Sequence, residues 1–420
     1  MTTDTLTIQS IIDQHAEEAS FVCQQRIEAA LSPGFTLVDL MRLDERIAAH
    51  LDGLRIAGEA GWDACESLVS DQDSGALFAA ALLALEARDR RAFSSLQKVV
   101  KRVPEMRPAL VFAFAWGPTE ALRDIAKEML TSTSAFSCRM GINCCVAHGL
   151  DPQHHLDALI RDPDPLLKAR ALFAVGELGR SDLRSACEQN LWDHDSACRF
   201  SAAWAAVLLG NRGEALNVLQ DFGHSQGPYH KRALHLALQA GTAKVGRTLL
   251  KALSQDQALL RSAIQGAGIL GDPSYVPWLI KLMEEAPTAR LAAEAFSLVV
   301  GVDLVQSDLE GKQPDGFEAG PNDDPEDTNV EMDPDEALPW PDPLKVQTWW
   351  DANNNRFRGG TRYFVGAPVT REHCIQVLKN GHQPQRILAA RYLRLLDPGR
   401  PLFDTSAPAW RQQRILEQME

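Results

Sequence analysis

Six side chains within eighteen positions could between them do chemistry: Cys138, Cys144, Cys145, His148, His154 and His155. Thiolates and imidazoles are zinc ligands, and a cysteine beside a histidine is the smallest nucleophile–base pair. The spacing argues against both. It fits no closed zinc pattern, nothing nearby would orient the histidine, and the cysteines fall in an apolar run, Ser137 to Gly149, that reads as helix core. All eight cysteines (23, 65, 138, 144, 145, 187, 198 and 374) show no CxxC and mostly share such surroundings, as reduced core residues of a cytoplasmic protein would. No Gly-rich phosphate loop is read, nor a G-x-S-x-G elbow. The expectation is therefore no catalytic residue, no metal and no cofactor: a protein that is not an enzyme.

The elements that would hold these residues repeat. Short apolar helices, each opening near an arginine and closing on a glycine, recur as Arg107…Gly117, Arg139…Gly149, Arg170…Gly179, Arg199…Gly210, Arg232…Gly241, Arg261…Gly271 and Arg290…Gly301. The glycines are 30 to 32 residues apart. A fixed period of this size means a repeat array. The helix after each arginine is rich in Ala, Leu and Val on nearly all sides, so it needs neighbours on both flanks. A glycine at its end can take positive φ and release the chain into a turn. A second, more amphipathic helix follows, over 152–161, 182–191, 213–222, 243–254 and 274–285. Asp-rich turns such as Asp162-Pro163-Asp164-Pro165 and Asp193-His194-Asp195 then start the next pair, Asp serving as N-cap and Pro in the first turn. Degenerate units are expected at Leu37–Gly58, Asp73–Glu86 and Arg386–Leu396.

Four regions follow: an N-terminal helical cap over 1–70, the array over 71–304, a flexible acidic Pro-rich segment over 305–343, and a C-terminal cap over 344–420 with a β-hairpin and a last repeat. The formal net charge is −14, and residues 308–342 hold thirteen acidic side chains against Lys312 alone, leaving the remaining body nearly neutral. Such a surface is a poor track for phosphates, so nucleic acid is not expected. Asp323 to Glu336 lacks the spacing of a calcium loop. No apolar run is long enough to cross a bilayer, and the N-terminus, with Asp4, Glu17 and Glu18, lacks the basic-then-apolar pattern of an export signal.

The D-x-D…R-x-x-A…L-G pattern, clearest over 162–179 and 256–271, resembles the HEAT-like repeats of phycobilin lyases. The resemblance implies a right-handed all-α solenoid of helix pairs, capped by a small hairpin-containing region. At the ends, Leu40 to Leu54, Gly58 and Gly61-Trp62, with His15, Glu18 and Arg26 upstream, and Trp349-Trp350, Arg356-Phe357, Gly360, Arg362 and Leu402-Phe403-Asp404 downstream, are similar to an uncharacterised bacterial HEAT-like-repeat family encoded near type VI secretion effector genes. That resemblance implies an adaptor or chaperone-like protein for a secreted effector. The alternative is an immunity protein whose acidic segment occupies a toxin's basic cleft. The repeat arginines Arg139, Arg170, Arg199, Arg232, Arg261 and Arg290 are expected to bond turn aspartates of adjacent repeats. A partner surface is expected at Trp278 and Lys281, three apart on one helix, and at Trp349, Trp350, Arg358 and Arg362. Of these, Arg358 and Arg362 belong to a hairpin centred on Gly359-Gly360 within 356–365.

Overall fold

A computed structural model of the chain describes residues 8–321 and 330–419. Among the described residues lie twenty-two α-helices and one two-stranded antiparallel sheet. The architecture is an all-α solenoid of stacked helix pairs. It divides into two compact units: one is built from the chain up to Ala205 with Lys379–Pro384 and the stretch from Pro398 onward. The other is Ala206–Leu378 with Gln385–Asp397.

In the first unit the repeat helix Pro165–Leu178 shows why the sequence folds as it does. Asp164 caps it by accepting from Leu167 N at 2.9 Å, Pro165 fills the first position, and Gly179 leaves it at φ 74°. The equivalent helix of the previous repeat, Ala135–His148, is capped by Ser134 and ends on Gly149 at φ 62°. In Ser74–Glu86 every residue from Gly75 to Leu82 is buried, as an all-apolar helix requires. The N-terminal helices Gln9–Ala29 and Leu37–Ala57 are tied by a buried pair: Arg26 Nε donates to Asp44 Oδ1 at 2.6 Å. Asp44 also accepts from Ala409 N at 2.6 Å, and Arg26 donates to Ala407 O at 2.9 Å, so the chain's last segment closes on its first helices.

In the second unit, helices Leu260–Leu270 and Ala286–Val300 end on Gly271 and Gly301 in the left-handed conformation. Two glycines of the series depart from that pattern. Gly117 and Gly241 are extended, at φ −64° and −77°, so positive φ is not what they supply. They supply space: a Cβ on Gly241 would stand 2.8 Å from Ala237 O.

The described parts of the acidic segment depart from the expectation of a flexible loop. Its two ends are zipped together by Gly311 N donating to Trp340 O at 2.7 Å and Asp342 N to Leu309 O at 2.9 Å. Asp333 and Asp335 are folded onto the body (below). Of the stretch Asp323 to Glu336, which lacks the spacing of a calcium loop, residues 323–329 lie outside the described residues. The hairpin is also displaced from its expected turn. Its strands are Tyr363–Phe364 and Ala367–Pro368, and its turn is Val365-Gly366, both at positive φ as a type I′ turn requires, rather than Gly359-Gly360.

Candidate functional site

The six residues expected to meet a partner all lie in the second unit, and the structure gives them unequal roles. Arg362 is a clamp. Its guanidinium donates to three carbonyls at the end of helix His230–Ala240: Leu238 O at 2.9 Å, Gly241 O at 2.8 Å, and Gln239 O. The chain then runs across the next two helix ends. Tyr363 N donates to Gly271 O at 2.8 Å, Val365 N to Leu298 O at 2.7 Å, and Gly366 N to Val299 O at 3.2 Å. Helix C-termini leave carbonyls without intrahelical partners and carry partial negative charge, so a cation and a row of N–H groups satisfy both needs. Trp350 is buried against Phe357, which packs edge-on to Tyr363. Trp349 is half-buried against Phe296. Trp278 is half-buried beside Tyr275, whereas Lys281 and Arg358 are exposed. Arg362 and Trp350 therefore serve the body, Arg362 by bonding three carbonyls at a helix end and Trp350 by packing in the aromatic cluster with Phe357.

The repeat arginines are more varied than expected. Arg170 donates to Asn143 Oδ1 at 2.5 Å and to Glu177 at 2.7 Å, and Arg199 donates to Asp193 O at 2.8 Å. Burial lowers the pKa of Arg139, followed by the nearby charge of Arg107. Arg232 has electrostatic company in Arg391. Arg261 and Arg290 pair with Asp335 and Asp333 of the acidic segment rather than with a turn of the adjacent repeat. Arg290 also lies 4.4 Å over the Trp340 ring. Sequence reading missed this, although Asp333-Pro334-Asp335 repeats the Asp162-Pro163-Asp164 motif already noted.

The cysteines and His148 are turned inward, whereas His154 is exposed and His155 half-buried. All eight cysteines are buried. Burial pushes Cys65, Cys187, Cys198 and Cys374 up to about 12, far from the thiolate a nucleophile or ligand needs. Cys138 and Cys144 lie against backbone carbonyls, Cys138 at 3.1 Å from Ser132 O and Cys144 at 3.8 Å from Leu122 O. His148 is held at about 4 by burial and then by Arg411, with its Nε2 2.6 Å from Phe114 O. Among the described residues no group of three or more His, Cys, Asp or Glu is brought together to hold a metal. One further spacing, Gly266-Ala267-Gly268-Ile269-Leu270-Gly271, matches a dinucleotide-loop pattern, but its first two glycines are inside the helix Leu260–Leu270 and Gly271 ends it. A Cβ on Gly268 would meet Ala295 Cα at 2.9 Å, so these glycines allow close helix contact and no loop forms.

What the first unit offers instead is an open cavity of about 520 Å³, which sequence reading did not find. Ile27, Leu31, Pro108, Val111 and Phe112 are among its apolar lining residues, and Glu105 and Asp404 among its polar ones. Arg26 lines it while wholly buried, 5.4 Å over the Phe112 ring. Arg26 Nη1 and Arg107 Nε are both buried without a hydrogen-bond partner. An apolar hollow with a few convergent polar groups is a binding feature. Its parts come from positions as far apart as 26 and 407, which no local motif could announce.

Residues 152–239 match the family profile for HEAT repeats. No curated protein matches the chain. Among solved structures, an engineered protein of known crystal structure aligns over 92% of this chain and 98% of its own, at 13% identity and a TM-score of 0.31. Among the described residues no helix is long and apolar enough to cross a membrane. Residues 152–239 are thus similar to HEAT repeats in sequence, within an all-α architecture of helix pairs.

Proposed function

We propose that this chain is a non-catalytic scaffold that binds another protein in the bacterial cytoplasm, as an adaptor or chaperone-like accessory to a type VI secretion effector. HEAT repeats generally serve as protein-interaction scaffolds, and the match over 152–239 supports that class of role. The observation that carries the reading is the division of labour within each pair. First helices such as Ser74–Glu86 are sealed in the core, while second helices such as Ala243–Leu253 and Val276–Leu282 keep one face in solvent. On those faces Lys281 and the edge of Trp278, together with exposed Arg358, are the residues we assign to a partner. The link to secretion rests on the resemblance of the two chain ends. The immunity reading draws on the acidic residues 308–342, whose charge suits a basic toxin cleft.

Affinity capture from native cells with quantitative mass spectrometry tests the proposal. An effector enriched through its non-catalytic region supports the adaptor role. Protection of cells from an isolated catalytic domain supports the immunity role. Turnover of a small molecule by the purified chain, with no protein enriched, overturns both.

A further inference from the structure

Within a chain of net charge −14, the helix Arg90–Arg102 carries Arg90, Arg91, Lys98, Lys101 and Arg102 and no acidic residue. Its apolar side, Phe93, Leu96 and Val100, is buried, and all five cations are exposed. Arg90 pairs with Glu128 at 2.7 Å. Among the described residues Arg91, Lys98, Lys101 and Arg102 have no carboxylate within ion-pair distance. Four like charges on one helix face repel one another, a cost that an opposite charge brought from outside relieves. Directly after this helix the chain enters the cavity wall at Pro104 and Glu105, then Arg107.

We infer that the face of Arg90–Arg102 and the adjoining cavity together dock an acidic segment of a partner protein that carries an apolar anchor residue. The inference rests on the protein-binding reading above and gives the partner its chemistry. Carboxylates of the segment meet Arg91, Lys98, Lys101 and Arg102, and the anchor enters between Leu31, Val111 and Phe112. Leu31 is 71% exposed at this wall, an apolar side chain waiting for cover. A carboxylate flanking the anchor would satisfy Arg107 Nε. Glu105 and Asp404 decide between polyanions. They keep the cavity close to neutral, and its lining is mainly apolar, which suits an apolar anchor side chain that a phosphate backbone does not carry, so an acidic peptide is favoured over a nucleic acid or an anionic bilayer.

The test uses the full chain and a fluorescent amphipathic peptide rich in Glu with Leu and Phe on one face. Its partner probe has Leu and Phe replaced by Ser. The first peptide should bind more tightly than the second and weaken as salt rises. The variant R91E/K98E/K101E/R102E should lose at least tenfold in affinity with its melting temperature unchanged. Leu31→Glu, a change at an exposed site, should abolish the preference for the anchored peptide. Should the fourfold reversal disturb folding, the corresponding alanine variant carries the same expectation with a smaller loss. Equal binding by wild type and variants overturns the inference, as does tighter binding to a DNA duplex or to phosphatidylserine vesicles than to the peptide. A natural partner captured equally by wild type and the fourfold variant also overturns it, while leaving the protein-binding reading intact. Peptide binding with no natural protein partner would instead remove the reading beneath it.

Discussion

Asp193 and Asp333 make the same turn in two unlike stretches of sequence. In the array, Asp193 accepts from Asp195 N at 2.9 Å and pairs with Lys168 at 2.6 Å, the two side chains 17% and 23% exposed. In the acidic segment, Asp333 accepts from Asp335 N at 2.9 Å and pairs with Arg290, the side chains 14% and 7% exposed. Asp335 adds a pair with Arg261 at 2.6 Å. Only the first turn is followed by a periodic apolar helix. The second is followed by Glu336 and then by Trp340, which covers Arg290. The difference teaches that the repeat's stacking chemistry continues after its periodicity has stopped, with the acidic segment supplying carboxylates to the last two repeat arginines.

The largest test of that continuity is replacement of 310–338 by a Gly/Ser linker. A free loop would close at small entropic cost and leave the melting temperature unmoved. Here the replacement strands Arg290, nearly all buried, and uncovers Arg261. We expect a loss of about 3–5 kcal/mol, the range for a buried charge deprived of its partner, measured by denaturant unfolding. An unchanged midpoint would return the whole segment to solvent.

Next comes the clamp that follows it. Arg362→Ala leaves the end of His230–Ala240 unsatisfied and should cost about 1.5–3 kcal/mol, whereas Arg358→Ala, at an exposed site, should stay within about 0.5 kcal/mol. Thermal melts of the two variants decide whether the non-periodic stretch finishes the helices or merely lies on them.

The single aspartates sharpen the comparison further. Asp333→Asn should cost about 1–3 kcal/mol, since it weakens a charge-assisted bond to a buried cation. Asp193→Asn faces a more solvated lysine and should cost about 1 kcal/mol or less. Equal losses by chemical denaturation would make burial irrelevant to the difference.

The smallest effect is in pH. Burial pushes the carboxyls of Asp193 and Asp333 up, but the bonds from Lys168 and Arg290 and from the backbone two residues on outweigh it, so both end below the usual value. A depressed folded-state pKa stabilises above the unfolded value, near 3.9, and that contribution is lost as pH falls through the folded value. The melting temperature should therefore be insensitive to these groups at neutral pH and fall below about pH 4. The Asn variants, already lower at pH 7, should converge on wild type in acid. Parallel curves down to pH 2 would remove the pairs from the stability of the native state.

Much of this protein was settled by its sequence because the governing forces are local. Apolar residues all round a helix demand neighbours on both sides, and a glycine every 30 to 32 residues sets the repeat. Asp164 before Pro165 fixes where a helix starts, whatever lies elsewhere. The site was legible only in part. Arg358 and Lys281 are as exposed as expected, but nothing near Arg362 in the chain announces that three carbonyls some 120 residues away need a donor. Composition made 305–343 look solvated because charge repels charge. Only folding brings Asp333 to Arg290, where the same charge becomes an attraction. The cavity belongs wholly to tertiary structure: Arg26 has an unspent N–H because Asp44, Ala407 and Phe112, from three separate segments, surround its guanidinium and leave that nitrogen without an acceptor.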